Sequence, residues 1–482
     1  MSSLWLPLGA ACTTGIFSLA AQRKLLARPV SFAAHVLALL AGIWFFNVFL
    51  LFTARPVASS LLAIATLALL FSVNQAKLIA LREPLIPADV HLLVQVIKYP
   101  HLYLPFLPIK AMVLGFVAVG LVIGVLFFLE TPGAFLRSTG FICCSASFVL
   151  LLPVLLTALK AGRLKTIRRF ILKVFPPSSD AAHDMYVNGL WASGINHFAW
   201  AGEVKERNPS FLANCEQRPS ESSFPKSLEQ TLTELKNTPI NALPHITIIQ
   251  AESFYNMCKY ADEPLKSSLQ GFLPNWHTLQ AVDRAFDPPP HAYGAYTMRA
   301  EFTMLTGLPP HVLGPWAFNP YLLASRVKLW SLAPCLKKLG YKTIVLHPYH
   351  KDFFGRDKAI PNLGFDEFYD ISALSHLPTF GKYTSDIALA DEITSILEHA
   401  TGPVFCFAIT MEAHGPWLAG RLTQKQITDL LPGIDVEKLP LNMQLYLCHL
   451  KNMDTMLGML ARYEGKRKNR VWAYGDHAPG GI

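Results

Sequence analysis

Thr297 lies in the run GAYTMRAEF, Gly294 to Phe302, three residues after a glycine and ahead of the helix-forming stretch MRAEFTML. The pattern predicts the first turn of a helix, where free backbone N–H groups and the dipole favour negative charge, so a phosphoryl group carried on this hydroxyl would be well placed. A helix cap is the other common use of a threonine at such a position. Four β-rich runs, HITIIQAES, YKTIVLHP, VFCFAITMEAH and RVWAYGDH, leave Glu252, His347, His414, Asp476 and His477 at strand exits. If the strands ending at Glu252 and at Asp476-His477 are neighbours, two carboxylates, one imidazole and the Thr297 hydroxyl can converge on a divalent cation. Hard oxygens with one imidazole suit Mn²⁺, Mg²⁺ or Zn²⁺. Such an ion would lower the pKa of the hydroxyl and neutralise charge on a phosphoryl group in transfer.

The elements that must position these groups follow from the pattern around them. Stretches of helical character, such as Ser385 to His399 and Leu441 to Tyr463, separate the β-rich runs. The alternation predicts an α/β domain with a mainly parallel sheet and helices on both faces, and functional groups of such sheets gather at the carboxyl ends of the strands. Neither a GxxxxGK[ST] phosphate loop nor a dinucleotide fingerprint occurs, so ATP and NAD chemistry have no support. The eight cysteines are scattered singly except Cys143-Cys144, without the spacing of a zinc site or a disulfide framework. Cys406 falls in an apolar run that reads as a core strand.

Hydrophobic residues make up 52% of the 482, yet polar residues crowd into the second half, which implies two regions. Five apolar stretches are long enough to cross a bilayer: Leu4 to Ala21, Ser31 to Thr53, Pro56 to Ala76, Ala111 to Leu129 and Thr139 to Leu159. Between the third and fourth, the proline-rich segment Lys77 to Lys110 suits an interfacial or re-entrant path. After the fifth comes KAGRLKTIRRFILKVF, in which Leu164, Ile167, Phe170, Ile171 and Val174 recur at helical spacing among Arg163, Lys165, Arg168, Arg169 and Lys173. This is either a helix lying on the membrane or a linker helix packed on its own domain. The net charge of +9 sits largely beside membrane-type segments, which points to anionic lipid, and no nucleic-acid motif is present. The expected organisation is a membrane domain of about five transmembrane helices over 1–160, a basic helix and linker over 161–240, and a catalytic domain over 241–482.

The pieces IIQAES, GAYTMRAEF followed by LTGLPP, GYKTIVLHPYHKDFFGRD with LGFDEFYD, ITMEAHGPW and YGDH stand in this order in the polar half. Together they resemble the lipoteichoic acid synthase and phosphoglycerol transferase branch of the alkaline phosphatase/sulfatase superfamily, and the five-span region resembles the membrane part of the same family. The resemblance implies an α-helical transmembrane region followed by a sulfatase-like α/β domain. It makes Thr297 the nucleophile that carries a covalent phosphodiester intermediate, and Glu252, Thr297, Asp476 and His477 the shell of a divalent metal, Mn²⁺ first. His347 and Arg356 take substrate-binding positions, with Arg356 able to grip a phosphate in two places. His414 takes the position that contacts the acceptor or leaving group. Phe354 stands where the family often has tryptophan.

The implied partners are a phospholipid donor, a cell-surface glycan or polyol acceptor, and the membrane. The implied location is a bacterial inner membrane with the catalytic domain on the periplasmic or extracellular side. Counting positive charges gives the opposite orientation, since Arg23, Lys24 and Arg28 follow the first span and the basic helix follows the fifth. The sequence departs from the family at two places. It stops at Ile482, five residues after His477, where relatives continue, so a domain closed differently or truncated is expected. No CxPxR or SxPxR signature surrounds Thr297, which disfavours arylsulfatase chemistry. Phosphoglycerol transfer is the expected reaction, with phosphoethanolamine transfer, phosphodiester hydrolysis and a degenerate lipid- or glycan-binding role as alternatives.

Overall fold

The structure, a computed structural model, describes residues 2–25, 31–100, 109–178, 180–207, 217–219, 222–263, 265–287, 293–294 and 296–480. It forms two compact units, Met1–Pro209 and Ser210–Ile482.

In the first unit, helices Ser2–Leu25, Phe32–Thr53, Pro56–Leu81, Ile109–Leu129 and Thr139–Lys160 occupy the five apolar stretches. Phe32–Thr53, Pro56–Leu81 and Thr139–Lys160 are long and apolar enough to cross a membrane. A helix satisfies its own backbone polar groups, the condition hydrocarbon imposes. Helices Ser2–Leu25 and Phe32–Thr53 approach closely at Gly42, where a Cβ would lie 2.5 Å from the Thr14 carbonyl oxygen. Within the expected re-entrant segment, the third helix runs on past Lys77. A 3-10 turn Pro87–Leu92 and a short helix Leu93–Lys98 follow, and residues 101–108 lie outside the described residues.

The basic helix spans Lys165–Val174. Arg168, read from the sequence as part of the exposed basic surface, is instead fully buried. Its Nε donates to Glu203 Oε2 at 3.0 Å and its Nη1 to the Gly162 carbonyl at 2.7 Å. A guanidinium can be buried only with its charge paired, and Glu203 on helix Leu190–Arg207 supplies the carboxylate. The helices over 165–207 therefore belong to the first unit, where the sequence suggested a linker. Ile167 and Phe170 remain exposed beside Lys165, Arg169 and Lys173.

The second unit is built on a six-stranded sheet in the order β2-β8-β1-β7-β3-β4: Ala285–Phe286, Asn469–Gly475, His245–Ala251, Val404–Ile409, Lys342–Leu346 and Glu367–Tyr369. Every neighbouring pair is parallel. All seven residues of β1 are buried, as expected of a central parallel strand covered on both faces. Because side chains alternate between faces, Ile249 and Ala251 join a core with helices Pro274–Ala281, Asp386–His399 and Leu441–Ala461. Gln250 points to the other face, where it meets Glu301 of helix Thr297–Thr306. Cys406 on β7 is buried in the first of these cores. A separate antiparallel hairpin pairs β5 (Thr379–Phe380) with β6 (Tyr383–Thr384).

Candidate active site

β1 and β8 are hydrogen-bonded neighbours in register, with Ala251 opposite Gly475. The residues that follow them, Glu252 and Asp476-His477, therefore leave the sheet side by side. Their ligand atoms all lie within 4.8 Å of one another. His477 Nε2 is 3.7 Å from Glu252 Oε1 and 3.4 Å from Asp476 Oδ2. All three side chains are buried, and Asp476 Oδ2 has no hydrogen-bond partner.

The supporting bonds fix the orientation of each group. Asp476 Oδ1 accepts from the backbone N–H groups of Ser253 and His477, both at 2.8 Å. The Ser253 hydroxyl donates to Glu252 Oε1 at 2.8 Å, and the Glu252 N–H donates to Thr410 Oγ1 at 3.0 Å. Ser253 sits at φ 52°, a left-handed conformation that is strained for a residue with a side chain. Its carbonyl accepts the Tyr446 hydroxyl at 2.8 Å, which helps hold the turn.

The loop that carries Thr297 is tied to the same strand exit. The Gly294 N–H donates to the Ala478 carbonyl at 2.8 Å. Gly294 and Tyr296 both have positive φ, 71° and 69°, and the turn they form delivers Thr297 as the first residue of its helix. Tyr296 occupies the N-cap without a side-chain cap bond. The Thr297 hydroxyl instead lies beside Asp476, where it lowers the pKa of that carboxyl. The capping reading of Thr297 thus gives way to one in which its hydroxyl faces the cluster.

The electrostatics describe a site short of positive charge. Burial pushes Asp476 up to about 7, opposed by His477 and reinforced by Glu252. Burial also raises Glu252, against the pull of His477. His477 is lowered by burial, but Asp476 and Glu252 outweigh this and hold it above its usual range. Its Nδ1 lies 3.0 Å from the Ala478 carbonyl. With the Nδ1–H donated there, Nε2 faces the two carboxylates, the tautomer a metal-ligating histidine needs. Two carboxylates, one correctly turned imidazole, an unpartnered Asp476 Oδ2 and an adjacent hydroxyl fit a divalent cation.

The remaining predicted residues lie around this cluster. His347 follows β3; its Nδ1 is 3.2 Å from the Ile409 carbonyl, and its buried Nε2 has no partner. Burial first, and then Arg356, drive its pKa well below the usual range, so the ring is neutral. The fork of Arg356 is directed at Glu301, with Nε 2.9 and 3.2 Å from the two carboxylate oxygens and Nη2 donating to the same group. Nη1 is buried without a partner, an N–H edge of the fork that Glu301 does not use. Phe354, at φ 58°, keeps its ring 5.2 Å from the Arg356 guanidinium carbon. His414 has Nδ1 2.8 Å from the Gly415 carbonyl, and burial lowers its pKa to about 4.

Sequence reasoning missed Glu301, although it lies within GAYTMRAEF. Its carboxylate is fully buried and also accepts from Tyr321 and from Gln250 Nε2 at 3.1 Å. The signal was its spacing, four residues after Thr297, which places both on one helix face. Ser253, Thr410 and Tyr446 had no sequence signal of their own.

Residues 287–481 match the family model described as Sulfatase. The second unit carries a sulfatase-like domain. The capsular polysaccharide biosynthesis protein RkpI of Rhizobium meliloti (strain 1021) is 33% identical over 247 residues, 49% of this chain and 41% of that protein. The chain thus spans about two-fifths of this relative's length. Among solved structures, the lipoteichoic acid synthase LtaP of Listeria monocytogenes aligns with 52% of this chain and 62% of its own, at 20% identity and TM-score 0.37. The lipooligosaccharide phosphoethanolamine transferase EptA of Neisseria meningitidis aligns with 98% of this chain and 82% of its own, at 12% identity and TM-score 0.46.

Metal loading of the sulfatase-like domain should be visible without turnover. Adding Mn²⁺, Mg²⁺ or Zn²⁺ to chelator-treated protein is expected to raise its melting temperature, since a ligand at a hundred times its Kd stabilises by about 2.7 kcal/mol. Substituting Asp476 by asparagine should remove most of that rise. A melting temperature indifferent to all three cations would exclude the cluster as a metal site.

Proposed function

We propose that this protein is a membrane-anchored, metal-dependent transferase that moves a phosphoglycerol-type headgroup from a phospholipid to a cell-surface glycan or polyol through a covalent intermediate on Thr297. The observation that carries this reading is the Thr297 hydroxyl, turned from a capping role toward Asp476 beside Glu252 and His477. A divalent cation bound by these side chains would lower the pKa of that hydroxyl and offset phosphoryl charge.

The chain's own groups then have assignable tasks. Thr297 Oγ attacks the donor phosphorus; the bond from phosphorus to the diacylglycerol oxygen breaks, and the threonine proton leaves with diacylglycerol. Arg356 Nη1, buried and unpartnered, binds a phosphoryl oxygen, and His347 Nε2, the bare nitrogen of a neutral ring whose Nδ1–H faces the Ile409 carbonyl, accepts from a hydroxyl of the headgroup. In the second half an acceptor hydroxyl attacks the same phosphorus and the bond to Thr297 Oγ breaks, returning the threonine hydroxyl. His414, neutral through the physiological range, accepts the acceptor's proton and passes it on to Thr297 Oγ.

A phospholipid headgroup is an activated donor that needs no ATP, which suits a catalytic domain on the periplasmic face of a bacterial inner membrane. Membrane helices on the same chain keep the site near its donor. The similarity to a capsular polysaccharide biosynthesis protein supports a glycan acceptor.

The test is turnover of acyl-labelled phosphatidylglycerol by the full-length protein in detergent with Mn²⁺. Release of labelled diacylglycerol, with a glycerophosphoryl adduct on the peptide containing Thr297, is the expected result. Release from phosphatidylethanolamine alone would reassign the donor headgroup. No release from either lipid by folded, metal-loaded protein would overturn the reading.

A further inference from the structure

The transfer reaction needs a place for the acceptor, and a second group of unsatisfied polar atoms lies on the His414 side of the cluster. Tyr383 on β6 is 7% exposed, and its hydroxyl has no hydrogen-bond partner. Asp386, three residues on at the start of helix Asp386–His399, is 1% exposed, and neither of its carboxylate oxygens has one. Buried polar atoms are normally paired, so two such residues three positions apart in the sequence mark a stretch where something else supplies the bonds.

Their surroundings locate that place. The Tyr383 ring stands edge-on to the His414 imidazole with centroids 5.5 Å apart. The Arg421 guanidinium carbon lies 5.6 Å from the centre of the same ring. Arg421 Nη1 also donates to the carbonyls of His414 at 2.7 Å and Pro416 at 3.2 Å, so it holds the His414 loop against the hairpin. The charge of Glu252 also contributes to raising the pKa of both Tyr383 and Asp386.

The chemistry of these two groups differs from that of the donor side. Arg356 Nη1 offers a charged N–H to an anion, whereas a phenol and a neutral carboxyl carry no positive charge to hold a phosphate. Burial, and after it Glu412, raise the Asp386 carboxyl well above the usual range. A protonated carboxyl both donates and accepts, as does a phenolic hydroxyl. That pairing suits neutral, hydroxyl-bearing molecules.

We propose that Tyr383 and Asp386 form the acceptor subsite, hydrogen-bonding hydroxyls of a polyol or sugar so that one of them lies between His414 and the phosphoryl group on Thr297. The assignment rests on the transferase reading above. The alternative is that both are merely packing residues, Tyr383 filling the hairpin and Asp386 complementing the dipole of its helix.

The test uses the full-length protein in detergent with Mn²⁺ and acyl-labelled phosphatidylglycerol, with glycerol and glucose as acceptor probes. The readout is the ratio of glycerophosphorylated probe to free glycerol phosphate, which separates transfer from hydrolysis. Tyr383→Phe removes only the hydroxyl and leaves the ring against His414. It is expected to lower the ratio about tenfold, the loss of roughly one hydrogen bond in the transfer transition state, through a raised acceptor KM. Asp386→Asn should act in the same direction; if it fails to fold, Tyr383→Phe decides alone. A ratio within twofold of wild type in a folded Tyr383→Phe protein overturns the subsite. So does wild-type protein that cleaves the lipid but transfers to neither probe at any concentration. If the wild type releases no diacylglycerol at all, the transferase reading itself fails and the subsite falls with it.

Discussion

Thr297→Ala is expected to abolish diacylglycerol release, by about a thousand-fold or more in kcat, because the covalent route has no other hydroxyl in its place. The fold should tolerate the change. The hydroxyl caps no helix N–H, and the N-cap belongs to Tyr296, so the melting temperature should move by no more than a few degrees. Thr297→Ser keeps the oxygen but loses the methyl group that restricts its rotamer, and should retain measurable turnover with a trapped adduct. The pair of variants separates two mechanisms. If Thr297→Ala still hydrolysed phosphatidylglycerol at a rate near wild type, water would be attacking the lipid directly and the threonine would be only a neighbour of the cluster. Loss of adduct and of turnover together, in a protein whose melting temperature still rises with Mn²⁺, would place the defect in the nucleophile.

Why some of this site was readable and some was not comes down to what each residue depends on. Glu252, His347 and Asp476-His477 lie one or two steps beyond apolar β-branched or aromatic runs. In a parallel sheet such positions converge at one edge whatever the intervening loops do. The adjacency of β1 and β8, separated by more than 200 residues, came from the sheet order, which the sequence leaves open. Arg356 was legible as a cation and misleading as a free one. Its charge is matched by Glu301, a partner 55 positions away that only packing brings together. Arg168 in the first unit repeats the point. Helical periodicity placed it on a basic surface, yet pairing with Glu203 turns it inward. Tyr383 and Asp386 carry no motif, and what distinguishes them is missing bonds, a property that exists only once neighbours are in place.

The helix Thr297–Thr306 joins these levels, since its first residue is Thr297 and the next turn, at Glu301, holds Arg356. Glu301 is therefore the residue through which packing and chemistry are coupled. With no exposure at Glu301 and 1% at Arg356, the pair has essentially no solvent to fall back on. Burial alone would lower the Arg356 pKa, but Glu301 outweighs it and holds the guanidinium charged. Glu301→Ala is thus expected to destabilise the domain by about 3–5 kcal/mol, the cost of an uncompensated buried charge. The melting temperature should fall by roughly 10 °C, with turnover lost because Arg356 no longer presents Nη1 in one place. Glu301→Gln, which keeps one acceptor oxygen for Tyr321 or Gln250, should cost less. The informative protein is the double substitution Glu301→Leu with Arg356→Met. Replacing a buried ion pair by apolar residues of similar volume is often neutral for stability, so this protein should recover much of the melting temperature while releasing no diacylglycerol. Recovery of both would mean that the pair only holds the fold. A Glu301→Ala protein as stable as wild type would mean that Arg356 finds another partner and that the pairing seen here is not what keeps it buried.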